Sequence, residues 1–547
     1  MQTSNTFARA TLGALAAAAA FAVAPASAQT SLYAGGASLP SLAYENEFAC
    51  YGNAVGTTKL PTGCAARFRT DVTIFYTSVG SGAGRRGFIS NDPAQWTVSG
   101  VGGGTSTTPA KAHVAASDAA INSSYVSIYN NGGTFSSGGF SVTVAPASGA
   151  TYPNPQTTYG PLIQVPGIGV NVDLAYDPVY RIVKNPDLTQ SAYRFNVQKV
   201  KDSRGIRNSG LRLDQATYCK IFAGQITNWN DPALTALNNG VSLGDPTDPE
   251  VVAGTWSLPI TIVVRGDGSG TTALFTRNLA AVCGSAAPGL VSAIGSGGTL
   301  DTYPGIGAVT GLAAGECRLV NDPSYANASA TYLAAQGSEN VSGCLNSPKK
   351  LKSSQSEIRN GRIGYLSADF VNFTTAKPYS TYALAPATLQ NAMGEFVDPT
   401  PGTALTGIQA TLSVPATTAD KANPLNWVPN PSGLGGNPAA NPPVSGAYPI
   451  SGTTNLLFYT CYANSTAQAA IAQATGTIGF MNWYYSNSSA QTLLANNGFT
   501  ALPSAVRSAI VSTFADASNT TDNLFIRPAP ASGIGPNGVS CSTGAAP

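Results

Sequence analysis

"SLPITIVVRGDGSGTTALFTRNLAAVC", residues 257 to 283, runs from an apolar, β-branched stretch through a Gly-rich turn into a segment where Leu274, Phe275, Leu279 and Val282 recur at helical spacing. Its order is strand, turn, helix. "TDVTIFYTSVGSGAGRRGFIS", residues 70 to 90, repeats it with alternating branched and aromatic residues, a Gly-Ser turn and a second helical segment. Repeated strand-then-helix units predict an α/β fold with a largely parallel sheet. In such sheets ligands sit beyond the carboxyl ends of the strands, where both turns lie.

The turn at 265 to 271 has the chemistry of an anion site. A helix N-terminus presents unpaired backbone N–H groups and a partial positive charge. Ser269 and Thr271 add hydroxyl donors, Gly270 lets the backbone come close, and Arg265 supplies a fork of charged N–H groups, with Asp267 placed to hold it from behind. The competing reading is a plain junction with Arg265 on the surface. Two further turns are of the same kind. "YAGGASLPSLAYENEF" (33 to 48) sets Ser38 and Leu39 ahead of a helix whose first position suits Pro40, and "VGSGAGRRGF" (79 to 88) sets Ser81 likewise. Three such N-termini can converge on one dehydrated anion.

"HVAASDAAI" (113 to 121) then brings in Asp118. A buried carboxylate repels an anion unless the anion has a proton to donate, as both protonated forms of phosphate do and sulfate does not. Asp118 therefore reads as an acceptor toward the ligand and a barrier to sulfate. Its alternative role is to cap the helix that follows.

Composition bounds the rest. The chain has 547 residues, a net charge of +2 and only 10% charged residues, which excludes the basic footprint of a nucleic-acid binder. After Arg9 comes an apolar run from Ala10 to Ala24, then Ala26-Ser27-Ala28 before Gln29, the pattern of a signal peptide cleaved after Ala28. A periplasmic or secreted protein is expected, with no cysteine at the cleavage site to carry a lipid. The eight cysteines include no C-x-x-C pair and favour disulfides over zinc. Sequential pairing, Cys50–Cys64, Cys219–Cys283, Cys317–Cys344 and Cys461–Cys541, is the expectation, although eight cysteines admit many others. Residues 98 to 111, 131 to 160, 285 to 357 and 429 to 447 read as polar surface loops, the third as a small stapled excursion. "YGPLIQVPGIGVNVDLAY" (159 to 176) reads as a strand crossing between two lobes.

These segments, in this order, resemble the phosphate-binding protein family of the phosphate ABC transporter (PstS), and more closely its DING subgroup. The resemblance runs through Gly35 to Pro40, "VGSGAG" (79 to 84), "ASD" (116 to 118), "IQVPGIG" (163 to 169), "CKIFAGQITNW" (219 to 229) and "VVRGDGSGTTALFTR" (263 to 277). It continues in "GRIGYLSADF" (361 to 370), "NPLNWVP" (423 to 429) and "YPISGTTNLLFYTCY" (448 to 462). It implies a two-lobed α/β fold that closes about a hinge like a Venus flytrap, with residues 29–165 and 361–547 in one lobe and 166–360 in the other. It also implies one inorganic phosphate as ligand, no cofactor or metal, a monomer, a phosphate ABC transporter permease as partner, and no nucleic acid. Carried over position by position, the phosphate contacts fall on Ser38, the Leu39 backbone N–H, Ser81, Asp118, Arg265, Ser269, Gly270 and Thr271. Cys219–Cys283 and Cys461–Cys541 also resemble the family's disulfides. Two features depart from the pattern. The DING opening Asp-Ile-Asn-Gly-Gly-Gly is here Ser31-Leu32-Tyr33-Ala34-Gly35-Gly36, and the long extra loops bear on any docking to a transporter.

Two other functions compete. Phosphatase activity is associated with some DING proteins, but a Ser-His-Asp triad would have to use His113, the only histidine, which reads as a sheet residue. The serine of "GDGSGTT" (266 to 272) is better explained as an anion donor than as a nucleophile elbow. The third function is a surface interaction protein that reuses the fold, with "FMNWYYSNSS" (480 to 489) for recognition. Such a scaffold needs none of the anion-contact residues, so binding without catalysis is the expectation.

Overall fold

Short branched or aromatic runs form the strands that carry the site, and a small-residue turn after several of them opens a helix, whereas the aromatic run Phe480–Ser486 expected for recognition is itself a helix with its large side chains buried. The computed structural model describes residues 30–54, 59–98, 107–346, 350–371, 383–429, 439–474 and 477–545. The expected signal peptide and its cleavage site lie outside them, as do parts of the expected loops at 98 to 111 and 429 to 447. Strand β1 (Thr30–Gly36) leads into α1 (Ser41–Tyr51), and β2 (Val72–Ser78) into α2 (Ser81–Ser90). Pro40 takes the cap position of α1 rather than its first helical position, a shift of one residue. Then come β3 (Val114–Ser117), α3 (Ser123–Asn131), the hairpin β4 (Gly133–Ser137) and β5 (Phe140–Val144), and β6 (Leu162–Tyr176). The second half brings β7 (Thr261–Arg265), α4 (Gly270–Val282), β8 (Arg318–Val320), β9 (Tyr332–Ala335), α5 (Gly337–Leu345), β10 (Arg362–Ser367) and β11 (Ala385–Gln390). Strand β12 (Ser451–Tyr459) returns to the first.

One sheet of thirteen strands carries both halves, in the order β8-β9-β7-β10-β6-β12-β3-β1-β2 along its main path. Pairing is parallel between β1 and both β2 and β3, and between β7 and both β9 and β10. The middle corrects the expectation of a largely parallel sheet, because β6 is antiparallel to β10 and β12, and β12 to β3. The reason is topological. β6 leads out of the first half and β12 leads back into it, so the two run in opposite directions side by side. All fifteen residues of β6 are buried, as a strand covered on both faces requires. Leu162 to Asn171 pair with β12 and Val172 to Tyr176 with β10, so this one strand belongs to both halves. The register shifts where Pro166, which has no N–H to donate, faces β12, and Gly167 is the residue bulged out.

Two loop expectations are corrected. The 131–160 stretch holds the β4–β5 hairpin. The 285–357 stretch is no excursion: it supplies β9, which lies between β7 and β8, and the helix α5. Strands β10 and β11 both pair with the second-half end of β6. Disulfides join Cys50 to Cys64, Cys219 to Cys283, Cys317 to Cys344 and Cys461 to Cys541. Among the described residues no helix is long and apolar enough to cross a membrane.

Candidate anion-binding cleft

The ends of β1, β2, β3 and β7 meet where the two halves of the sheet face each other. Ser269 caps α4, its Oγ accepting the Thr272 N–H at 3.1 Å, and the hydroxyl hydrogen is left to point elsewhere. Gly270 is the first helical residue. A Cβ there would stand 2.4 Å from Ser81 Oγ and 2.5 Å from Asp118 Cβ, so only glycine lets the α4 N-terminus close onto the first half. Ser81 opens α2; its Oγ donates to Asp118 Oδ2 at 3.2 Å and accepts the Asp118 N–H at 3.0 Å.

Asp118 is 2% exposed, and its Oδ1 has no hydrogen-bond partner among the described residues. Burial lifts its pKa to about 7, against the opposing pull of Arg265, Ser81 and Arg85. It does not cap α3. Asn122 does, accepting the Tyr125 N–H at 2.9 Å. Asp118 is thus left facing the cleft with one oxygen to spare.

Arg265 ends β7 and is 1% exposed, which rules out the surface reading. Its Nε donates to Asp267 Oδ1 at 2.7 Å and its Nη2 to Asp267 Oδ2 at 2.5 Å, a two-pronged pairing that fixes the guanidinium plane. Nη1 is turned the other way, 3.5 Å from Thr271 Oγ1 and 3.4 Å from Ser338 Oγ. From the first half, Ser38 is buried with its Oγ 3.5 Å from Ser338 Oγ, and the Leu39 carbonyl accepts the Ser367 hydroxyl at 3.0 Å, pinning the peptide ahead of α1. These contacts link Ser38, Ser81, Asp118, Arg265, Gly270 and Thr271, with Leu39 and Ser269 next to them in the chain and Asp267 behind the arginine.

Sequence reasoning missed two contributors. Ser338 is the second residue of α5, inside the stretch read as a loop, although "YLAAQGSENVSGCL" (332 to 345) carries the same strand, small-residue turn and helix as the other sites. The second is a clasp over the mouth. Arg85 Nη2 meets Asp301 Oδ2 at 2.8 Å, Ser137 Oγ donates to the same oxygen, and the Asp301 carbonyl accepts the Ser269 N–H at 2.7 Å. Beside it the Gly82 N–H donates to the Gly268 carbonyl at 2.9 Å, so the halves are drawn together.

His113 sits at the opposite end of β3 from Asp118, buried, its Nδ1 accepting the Tyr33 N–H at 3.0 Å. It forms no triad with the cleft serines. Among the described residues no three His, Cys, Asp or Glu gather as a metal site.

Residues 168–488 match the family described as a PBP superfamily domain. The chain is 28% identical to Alkaline phosphatase L of Pseudomonas aeruginosa (strain UCBPP-PA14) over 516 residues, covering 92% of this chain and 93% of that one. Among solved structures it resembles the ancestral soluble variant of the Human Phosphate Binding Protein, at 25% identity and a TM-score of 0.55, over 91% of this chain and all of that one. It also resembles PfluDING, a high affinity periplasmic phosphate-binding protein bound with phosphate at pH 8.5. There the identity is 25% and the TM-score 0.52, over 90% of this chain and 95% of that one.

Proposed function

The chain belongs to the PBP superfamily, and from that footing we propose that it captures inorganic phosphate, as a protonated anion, in the cleft between its two lobes. The observation that carries this reading is Asp118 Oδ1, a buried carboxylate oxygen without a hydrogen-bond partner among the described residues, close to Ser81, Gly270 and the Arg265 charge. An anion with its own proton gives that oxygen a bond; an anion without one meets only repulsion. Arg265 Nη1, the hydroxyls of Ser38, Ser269 and Thr271, and the backbone N–H groups of Leu39, Gly270 and Thr271 hold the remaining oxygens, and Ser81 joins them when its hydroxyl turns from Asp118 Oδ2 to the ligand. Closure expels water, and the dry surroundings strengthen every one of these bonds. Phosphate-binding neighbours of the same fold support the assignment.

We assign residues 166–360, together with β10 and β11, to the second lobe and the rest of the mature chain to the first. Four disulfides fit an oxidising compartment. The mature protein begins at Gln29 and acts in the periplasm or outside the cell as a monomer, delivering phosphate to the permease of a phosphate ABC transporter or scavenging it.

Kinship with Alkaline phosphatase L supports a second reading, hydrolysis of phosphate esters. Against it, Ser81 Oγ is already bonded to both the N–H and the carboxyl of Asp118 and has no histidine beside it. Isothermal titration of the anion-stripped protein with phosphate, then sulfate, tests the main reading: one-to-one heat with phosphate alone is expected, and silence with both overturns it. Steady release of p-nitrophenol from its phosphate ester, lost in Ser81→Ala, would favour the second.

A further inference from the structure

Helix α5 opens with Gln336 in the cap position, and that side chain makes no capping bond. Its first N–H groups turn toward the cleft instead: Gly337 donates to Asp267 Oδ1 at 3.1 Å and Ser338 to Ser38 Oγ at 3.4 Å. Ser338 is 1% exposed. Its Oγ lies 3.4 Å from Arg265 Nη1 and 3.5 Å from Ser38 Oγ. These separations lie at the outer limit of direct bonding, yet they match two donors that share one acceptor: groups each at ordinary distance from one anion oxygen stand roughly 3.4 to 4.6 Å apart. The same spacing, 3.5 Å, separates Arg265 Nη1 from Thr271 Oγ1. Independently, Asp118 Oδ1 is buried with no hydrogen-bond partner among the described residues, and Asp118 feels the Arg265 charge.

We propose that Ser338 is a further ligand contact, its hydroxyl sharing one phosphate oxygen with Arg265 and Ser38 and the N-terminus of α5 turned toward the same charge. The inference rests on the phosphate reading above. Ser38 belongs to the first half of the sheet, Ser338 and Arg265 to the second. The shared oxygen is therefore gripped from both sides when the cleft is shut, Ser338 and Arg265 holding it from the second half and Ser38 from the first.

Ser338→Ala and Ser342→Ala separate this role from a structural one. Ser342 lies one turn along α5, equally buried, and its hydroxyl donates to the Glu339 and Ser338 carbonyls at 2.8 and 3.0 Å within its own helix. In titrations with inorganic phosphate, Ser338→Ala is expected to weaken binding about tenfold, as loss of a bond to an anion does, while Ser342→Ala matches wild type. Equal affinity of Ser338→Ala and wild type overturns the inference and leaves the phosphate reading standing; no heat with wild-type protein overturns both. A crystal structure of the wild-type phosphate complex reads the contact without any variant. Ser338 Oγ within about 3.2 Å of a ligand oxygen supports it, and a distance beyond about 4 Å overturns it.

Discussion

Arg85 and Asp301, 216 residues apart in the chain, meet at 2.8 Å across the mouth of the cleft, and the peptide of Asp301 also receives the Ser269 N–H. The clasp is thus built into the ligand cradle. The two side chains are 9% and 26% exposed, shielded enough for the pair to count for more than an ordinary surface bridge. Arg85→Ala is expected to raise the phosphate dissociation rate about tenfold with little change in association. Stopped-flow fluorescence measures both, with Trp96, buried against Gly35 beside the cleft, as reporter. If the clasp acts as a unit, Asp301→Ala added to Arg85→Ala gives no further acceleration.

Asp118→Asn replaces an acceptor with a group that also donates. Phosphate binding is expected to weaken modestly, while sulfate, silent with wild type, begins to bind. Competition titration with both anions decides it, and unchanged selectivity removes Asp118 from that role.

Arg265→Ala leaves a buried anion without its charged partner and Asp267 without its own. A loss on the order of 2–4 kcal/mol in phosphate binding is expected. Affinity equal to wild type would place the arginine outside the site.

The stability of the anion-free protein is expected to fall as pH rises from about 4 to about 7. Burial lifts Asp118 from its ordinary value to about 7, so in this range the folded chain holds a proton that the unfolded chain has released. That contribution is complete below pH 4 and gone above pH 7. Asp173, Asp369 and Glu47 are raised by burial in the same direction. Thermal midpoints of wild type and Asp118→Asn across pH 4 to 8 isolate the Asp118 share: the variant should lose less of its stability over that range.

Gly270→Ala tests closure itself. The added methyl would press on Ser81, Asp118 and the Ala119 N–H, all across the cleft, while α4 itself tolerates alanine. Affinity is expected to drop by roughly a hundredfold or more with little change in the ligand-free melting midpoint. A melting midpoint that falls together with affinity would mean the contact holds the fold rather than the closed state.

Much of this site is legible in the sequence because helix N-termini announce themselves locally. A strand of branched residues, then Gly and Ser, then apolar residues at helical spacing, marks Ser81, Ser269 and Gly270 within a dozen residues each. Asp118 was ambiguous, since an acid after a strand serves equally as a cap; only the position of Asn122 ahead of α3 resolves it. Ser338 escaped because its strand is four residues long and set in a stretch rich in Gly, Ser and Asn, where composition outweighs pattern. The clasp was illegible in principle: nothing local links Arg85, Ser137 and Asp301, and their meeting depends on closure. The antiparallel middle of the sheet escaped for a related reason, since strand direction follows from how often the chain crosses between halves and not from any one strand.

That crossing has a consequence for how the molecule is made. β12 fills the slot between β6 and β3, and Asn455 Nδ2 donates to the Ser117 carbonyl 338 residues back. A nascent chain of some 440 residues therefore owns every other strand of the main sheet and still has a gap at its centre, with the edges of β3 and β6 unpaired. Closing so long a loop comes late and slowly. The polypeptide's main sheet stays unfinished, and so still able to be threaded through a narrow pore, until β12 has been synthesised.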